Sequence, residues 1–229
     1  MIPRITQAKL PAAIFCCILV APFIRANPEP NATEILQTAR VTQMSQDASL
    51  TGFLRINSEH IPFSLQLAGG LIRYRFENPD QEIQLQLAEK EPLLREISTP
   101  GSKPMEVNPS DRLRGTAITY EDLSLHFLYW PNPKIIGEDN IRTRSTWKIE
   151  VQAPRKRSQY GVARLWIDKA SGALMRVEGF DLEGRIAKRF EVISGQKIEN
   201  QWMLRTMRVE EFEPGTRKVA SRTYLEIRE

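Results

Sequence analysis

The sequence predicts a mainly β (α+β) protein, with one curved antiparallel sheet enclosing or packed on two or so helices. Three observations carry that prediction. From Leu50 onward apolar and polar residues alternate with period two in run after run, the pattern of strands with one greasy and one wet face. A sheet with one solvated face is antiparallel. Only two stretches keep helical spacing, too few for the crossovers of a parallel sheet. Turn-forming residues punctuate the runs, and some ten strands of this kind must curl to bury their apolar faces.

The elements follow in order. Ala32 to Ala48 carries Ile35, Leu36, Ala39 and Gln43 at helical spacing, with Asn31 or Thr33 available as the cap. Ile61, Phe63, Leu65 and Leu67 then alternate with Pro62, Ser64 and Gln66. Ile72, Tyr74 and Phe76 alternate with Arg73 and Arg75. Gly69-Gly70 between these runs supplies the positive φ angles of a two-residue hairpin turn. After Asn78-Pro79-Asp80 come Ile83, Leu85 and Leu87. Thr99 to Pro109 reads as a long loop. Tyr120, Leu123, Phe127 and Trp130 predict a second helix that Thr119 caps and Pro131 stops. Strand patterns resume with Trp147, Ile149 and Val151, then Met175 and Val177, then Val219, Leu225 and Ile227.

Composition bounds the compartment. Arg4 and Lys9, an apolar run from Leu10 to Ile24 and a small-residue end at Ala26 have the order of a secretory signal, so residues 1–26 are predicted to be cleaved. Residues 27–31 form a tether, and 32–229 a single domain. Cys16 and Cys17 lie in the signal, and neither follows the small residue that lipidation would need. The predicted mature chain therefore has no thiol for a disulfide, a soft metal or nucleophilic catalysis. Of 32 basic residues three leave with the signal, so 29 remain against 28 acidic. The sequence pI of ≈ 9.1 thus owes much to the leader, and nucleic acid is not an expected partner. The folded part is expected on the far side of a membrane.

Little points to catalysis. His60 and His126 are the two near-neutral bases available, and neither a Gly-x-Ser-x-Gly elbow nor a phosphate-cradling glycine loop is present. No catalytic residue, metal site or cofactor is assigned. A lipid-binding interior would instead draw on Phe53, Phe63, Leu65, Tyr74, Phe76, Leu85, Phe127, Trp130, Trp147, Ile149, Leu165 and Met175. Apolar alternation marks a core whether that core is full or hollow, so these residues fit a packed interior equally well. The Tyr120 to Trp130 helix is either a lid over that interior or a fixed core element. Arg155-Lys156-Arg157, at the tip of a hairpin, is either a dock for an anionic headgroup or a solvated turn.

Arg114-Gly115-Thr116, Thr119-Tyr120-Glu121-Asp122-Leu123, Leu165-Trp166-Ile167-Asp168 and Arg176 with Asp181, Gly184 and Lys188 together resemble the outer-membrane lipoprotein-sorting (LolA-like) family. The resemblance implies a LolA-like or LolB-like half-barrel. It implies a periplasmic carrier that shields the acyl chains of a lipoprotein or phospholipid, with membrane-bound donor and acceptor proteins as possible partners. In place of the aromatic, Arg-rich strand expected from such relatives, residues 81–97 are rich in Gln and Glu. The alternative is a lipid-sensing or protein-interaction module with a packed core.

Overall fold

The computed structural model describes residues 30–98, 101–154 and 158–228. The predicted signal, most of the tether and the Arg155-Lys156-Arg157 tip lie outside the described residues. The sequence expectation of a mainly β half-barrel holds, and the sheet is larger than predicted. Thirteen strands form one antiparallel sheet: β1 Ala48–Ile56, β2 Glu59–Ala68, β3 Leu71–Phe76, β4 Gln81–Gln86, β5 Leu93–Ile97, β6 Met105–Glu106, β7 Lys134–Ile141, β8 Arg144–Gln152, β9 Val162–Asp168, β10 Leu174–Phe180, β11 Ile186–Ile198, β12 Gln201–Phe212 and β13 Val219–Arg228.

The strand order is β6-β5-β4-β3-β2-β1-β13-β12-β11-β10-β9-β8-β7. Two meanders are thus stitched at the centre by the β1–β13 pair, where Leu54 lies opposite Leu225. The chain leaves the sheet at one outer edge, β6, and must re-enter at the other, β7. Residues 107–133 make that passage. They contain a one-turn 3-10 segment at Leu113–Gly115, helix α2 at Tyr120–Ser124 and a second 3-10 segment at His126–Tyr129. We call Arg112 to Trp130 the crossing segment.

Helix α1, Ala32–Met44, starts at Asn31, whose side-chain oxygen accepts from the Thr33 amide at 2.9 Å. Its buried stripe of Ala32, Ile35, Leu36 and Ala39 is the one the spacing predicts. The helix is shorter than predicted, since strand β1 begins at Ala48. Gly69 and Gly70 both have positive φ, as the predicted hairpin requires. The second predicted helix is broken: Leu125 takes a left-handed conformation (φ 53°) that ends α2 and starts the 3-10 turn.

Candidate functional site

The concave face is apolar along most of its length. Leu54 on β1, Phe63 and Leu65 on β2, Ile72 and Phe76 on β3, Ile83 and Leu85 on β4, Ile149 on β8, Leu165 on β9 and Val177 on β10 are buried in one cluster with α1, Phe127, Leu128 and Trp130. Phe63 meets Tyr74 and Phe76 with ring centroids 5.8 and 5.7 Å apart. Tyr74 is half-buried on the same face, and burial pushes its phenol up to about 12. Trp147, also half-buried at the rim, lies beneath the Lys169 ammonium at 3.8 Å.

Ten of the twelve predicted lining residues are therefore brought together: Phe63, Leu65, Tyr74, Phe76, Leu85, Phe127, Trp130, Trp147, Ile149 and Leu165. Two are not. Phe53 alternates out of phase with buried Leu54 and packs on the convex side, edge-on to His60 at 4.8 Å and under the Arg228 guanidinium at 4.6 Å. Met175 falls on a register shift. Leu174 pairs with Ile167 and Arg176 with Trp166, leaving Met175 as the extra residue of a bulge, so Leu174 takes the inward place that strict alternation gives to Met175.

The residues of this cluster are buried, and two pockets, of ≈ 280 and ≈ 260 Å³, open at its margins. One sits at the β5–β6 edge among Glu96, Met105, Asp111, Arg112 and Tyr120, the other between Asp47–Leu50 and the β11–β12 turn. Both fall below the pockets of about 300 to 1,000 Å³ that enclose ligands of drug size.

The crossing segment is fastened to the concave face by polar groups. The Asp122 carboxylate accepts from the Lys188 ammonium at 2.8 Å and from the Tyr160 hydroxyl at 2.6 Å. Both ionic side chains are nearly sealed, with 1% of Asp122 and 4% of Lys188 exposed. The same carboxylate accepts from the Thr119 amide at 2.8 Å and closes a capping box at the start of α2. Burial and the neighbouring carboxylate drive the Tyr160 phenol well up. Its ring lies on Gly179, where an added Cβ would approach ring carbons to 2.5 Å, so a side chain there would displace the ring.

Further ties follow the same logic. Arg112 grips Glu211 through two bonds of 3.1 and 2.6 Å, the Ala117 amide donates to the Thr223 hydroxyl at 3.1 Å, and Tyr120 donates its hydroxyl to Glu96. Burial raises the Tyr120 phenol, and the Glu96 hydrogen bond raises it further. Glu96, Lys188, Glu211 and Thr223 sit on β5, β11, β12 and β13, so the segment is bound to four strands. Sequence reasoning picked out Thr119, Asp122 and Lys188 as a pattern without seeing that they touch. The available signal was Lys188 itself, a cation at an inward position before Phe190, which needs a buried counter-charge.

The convex face is held differently. Glu150, Arg164, Glu178, Arg189, Glu210 and Arg222 occupy successive strands β8 to β13 in direct register. They form an unbroken row of alternating charge, with contacts of 2.9 Å for Arg164–Glu150, 2.8 Å for Arg189–Glu178 and 2.9 Å for Arg222–Glu210. Cross-strand pairing of this sort stabilises the sheet and leaves no large uncompensated charge. Among the described residues no group of three or more His, Cys, Asp or Glu is arranged to hold a metal ion.

Residues 102–229 match a family model described as "-like: Uncharacterized protein". The chain belongs to that family. No curated protein matches the sequence. Solved structures give the fold. A DUF1329 family protein from Desulfovibrio piger superposes with a TM-score of 0.65 at 16% identity, covering 86% of this chain and 90% of that one. A putative outer membrane lipoprotein-sorting protein domain from Vibrio parahaemolyticus gives 0.67 at 16% identity with the same coverage. A LolA superfamily protein from Nitrosomonas europaea gives 0.61 at 16% identity, covering 87% and 92%. The expectation drawn from the sequence motifs is thus met at the level of fold: this is a LolA-like half-barrel. Among the described residues no helix is long and apolar enough to cross a membrane.

Proposed function

We propose that the protein is a periplasmic carrier that takes the acyl chains of a lipoprotein or phospholipid onto its concave face, and that α1 is the cover that moves aside. The observation supporting this is the contrast between the two covers. Against the sheet α1 presents Ala32, Ile35, Leu36 and Ala39, all apolar. Its polar ties among the described residues are marginal: Arg40 to the Glu89 carbonyl and Thr42 to the Ser171 carbonyl, both at 3.4 Å, with the Arg40 guanidinium over the Tyr129 ring at 5.0 Å. The crossing segment, read from sequence as the possible lid, is instead fastened by the Asp122–Lys188 pair. Displacing α1 would open the buried apolar cluster where the helix packs against β9 and the His126–Tyr129 turn. Each methylene of a bound acyl chain then regains about 0.8 kcal/mol by leaving water.

The burial of this apolar cluster favours a second reading, a packed lipid-sensing or protein-interaction module. Cysteine tethering separates the two. Thr42→Cys with Ser171→Cys, introduced into the mature chain, locks α1 to the β9–β10 turn when oxidised. The protein is secreted into a periplasm, purified without detergent and weighed by native mass spectrometry before and after incubation with phospholipid vesicles. The carrier reading expects a stoichiometric acyl-lipid adduct that oxidation of the tether abolishes and reduction restores. A clean protein mass in both states would sink it in favour of the packed module.

A further inference from the structure

The β11–β12 hairpin ends in a feature that a carrier's interior does not use. From Gly195 to Leu204 the two strands pair only with each other among the described residues, forming a free ribbon beyond their neighbours' pairing. Glu199 and Asn200 close it in a tight turn with both φ angles positive. One face is buried: Ile198 and Met203 turn toward Asp47–Leu50, where α1 joins β1. The other face presents Trp202, 73% exposed, with its ring beside Gly195 and exposed Lys197 directly across the ribbon. Arg205, at a register shift three residues along, is exposed, as are the acids Glu199 and Asp47 at this end.

We infer that this ribbon docks the protein on the surface of a lipid bilayer, with Trp202 seated among the headgroups and Lys197 facing anionic lipid. A large ring left in water near the tip of the ribbon has an apolar body and a polar N–H, the combination favoured at the boundary between headgroups and acyl chains. Lys197, directly across from the ring, matches an anionic surface. Other bulky apolar residues at the surface, such as Leu182 at 77% exposure, lack flanking order of this kind; Leu182 stands beside Asp181 and Glu183, acids that an anionic bilayer repels. Because the ribbon's inner face packs at the junction of α1 and β1, docking would bring the α1 end of the half-barrel to the membrane. The inference deepens the carrier reading in that respect, but membrane docking itself does not require cargo.

Phosphatidylcholine vesicles with and without phosphatidylglycerol test it, using sedimentation for partitioning and brominated phosphatidylcholine to quench tryptophan at contact. Trp130 and Trp166 are buried and Trp147 is covered by Lys169, so quenching reports on Trp202. The expected results are quenching that Trp202→Phe removes, partitioning that Trp202→Ala weakens about tenfold, and a preference for the anionic vesicles that Lys197→Glu reverses. Unquenched protein, or a Trp202→Ala variant that partitions like its parent, would overturn the inference. So would concentration-dependent dimers abolished by Trp202→Ala, which would assign the ring to a second copy. The disulfide-locked protein described above should still partition, so loss of cargo and loss of docking are distinguishable.

Discussion

The two covers of the concave face solve the same burial problem with opposite chemistry. Helix α1 is a continuous amphipathic helix held, among the described residues, by apolar contact, two long hydrogen bonds at its margins and the Arg40 guanidinium over Tyr129. The crossing segment is irregular, with a left-handed break at Leu125, yet it is tied to β5, β11, β12 and β13 through Glu96, Lys188, Glu211 and Thr223. Regular secondary structure is therefore no guide to which part is fixed. Apolar contact is non-directional and is recovered by any greasy replacement, including an acyl chain. A buried ion pair tolerates no such replacement, because a partner left behind is an uncompensated charge.

The largest predicted effect tests the fixed side. Asp122→Ala strands the Lys188 ammonium, frees the Tyr160 hydroxyl and opens the capping box at α2, and removing one partner of a buried pair typically costs about 3 to 5 kcal/mol. Chemical denaturation should show a loss of that order. Adding Lys188→Met to Asp122→Ala should return a good part of it, since the stranded charge is gone. A single mutant within experimental error of the parent would end the claim that this segment is bolted down.

Much of this contrast was hidden in the sequence, for identifiable reasons. Period-two alternation located the inward faces of β2, β3, β4 and β8 because those strands run regularly. It failed at Met175, where a bulge shifts phase by one residue, and at Phe53, whose parity is opposite to that of Leu50 and Leu54. The two-residue strand β6 is too short to show a period, and β7, with Ile135 and Ile136 adjacent and Gly137 at a register shift, breaks it. The spacing of Tyr120, Leu123, Phe127 and Trp130 matched a helix, but nothing local reveals that Leu125 turns left-handed. The motif residues were visible as a pattern, while their contact across 66 positions from Asp122 to Lys188 is a product of topology alone.

An intermediate effect is expected where α1 rests. The β9–β10 turn is built on Asp168, which accepts from Arg144 at 3.0 and 2.6 Å and from the Ser171 amide and hydroxyl at 2.8 and 2.5 Å. Ser171 in turn presents its carbonyl to Thr42 of α1. Burial alone would raise the Asp168 carboxyl, but the bonds from Arg144 and Ser171 outweigh it and hold the group below its ordinary value. A carboxyl depressed on folding stabilises the fold above its unfolded value and loses that contribution as pH falls through the folded one. Acid should therefore loosen this turn only below the usual carboxylate range near 3.9. Hydrogen exchange should show α1 opening more readily there than at neutral pH, with Asp168→Asn removing that pH dependence at α1.

The smallest effect is the sharpest test of the movable side. Asn31→Ala deletes the α1 cap, worth about 1 kcal/mol in comparable helices. If α1 undocks as a unit of its own, that cost falls on α1 alone. Its amides should exchange about fivefold faster, the β9 and β11 amides should keep their protection, and the denaturation midpoint should barely move. Acyl-lipid capture should rise in step with the opening, because a binding-competent state that is populated more often lowers the apparent dissociation constant in proportion. If α1 opens only when the whole sheet unfolds, the variant will lower the global midpoint and shift α1 and β9 exchange together. In that outcome the two covers differ in chemistry but not in mobility, and the cover would have to be sought elsewhere.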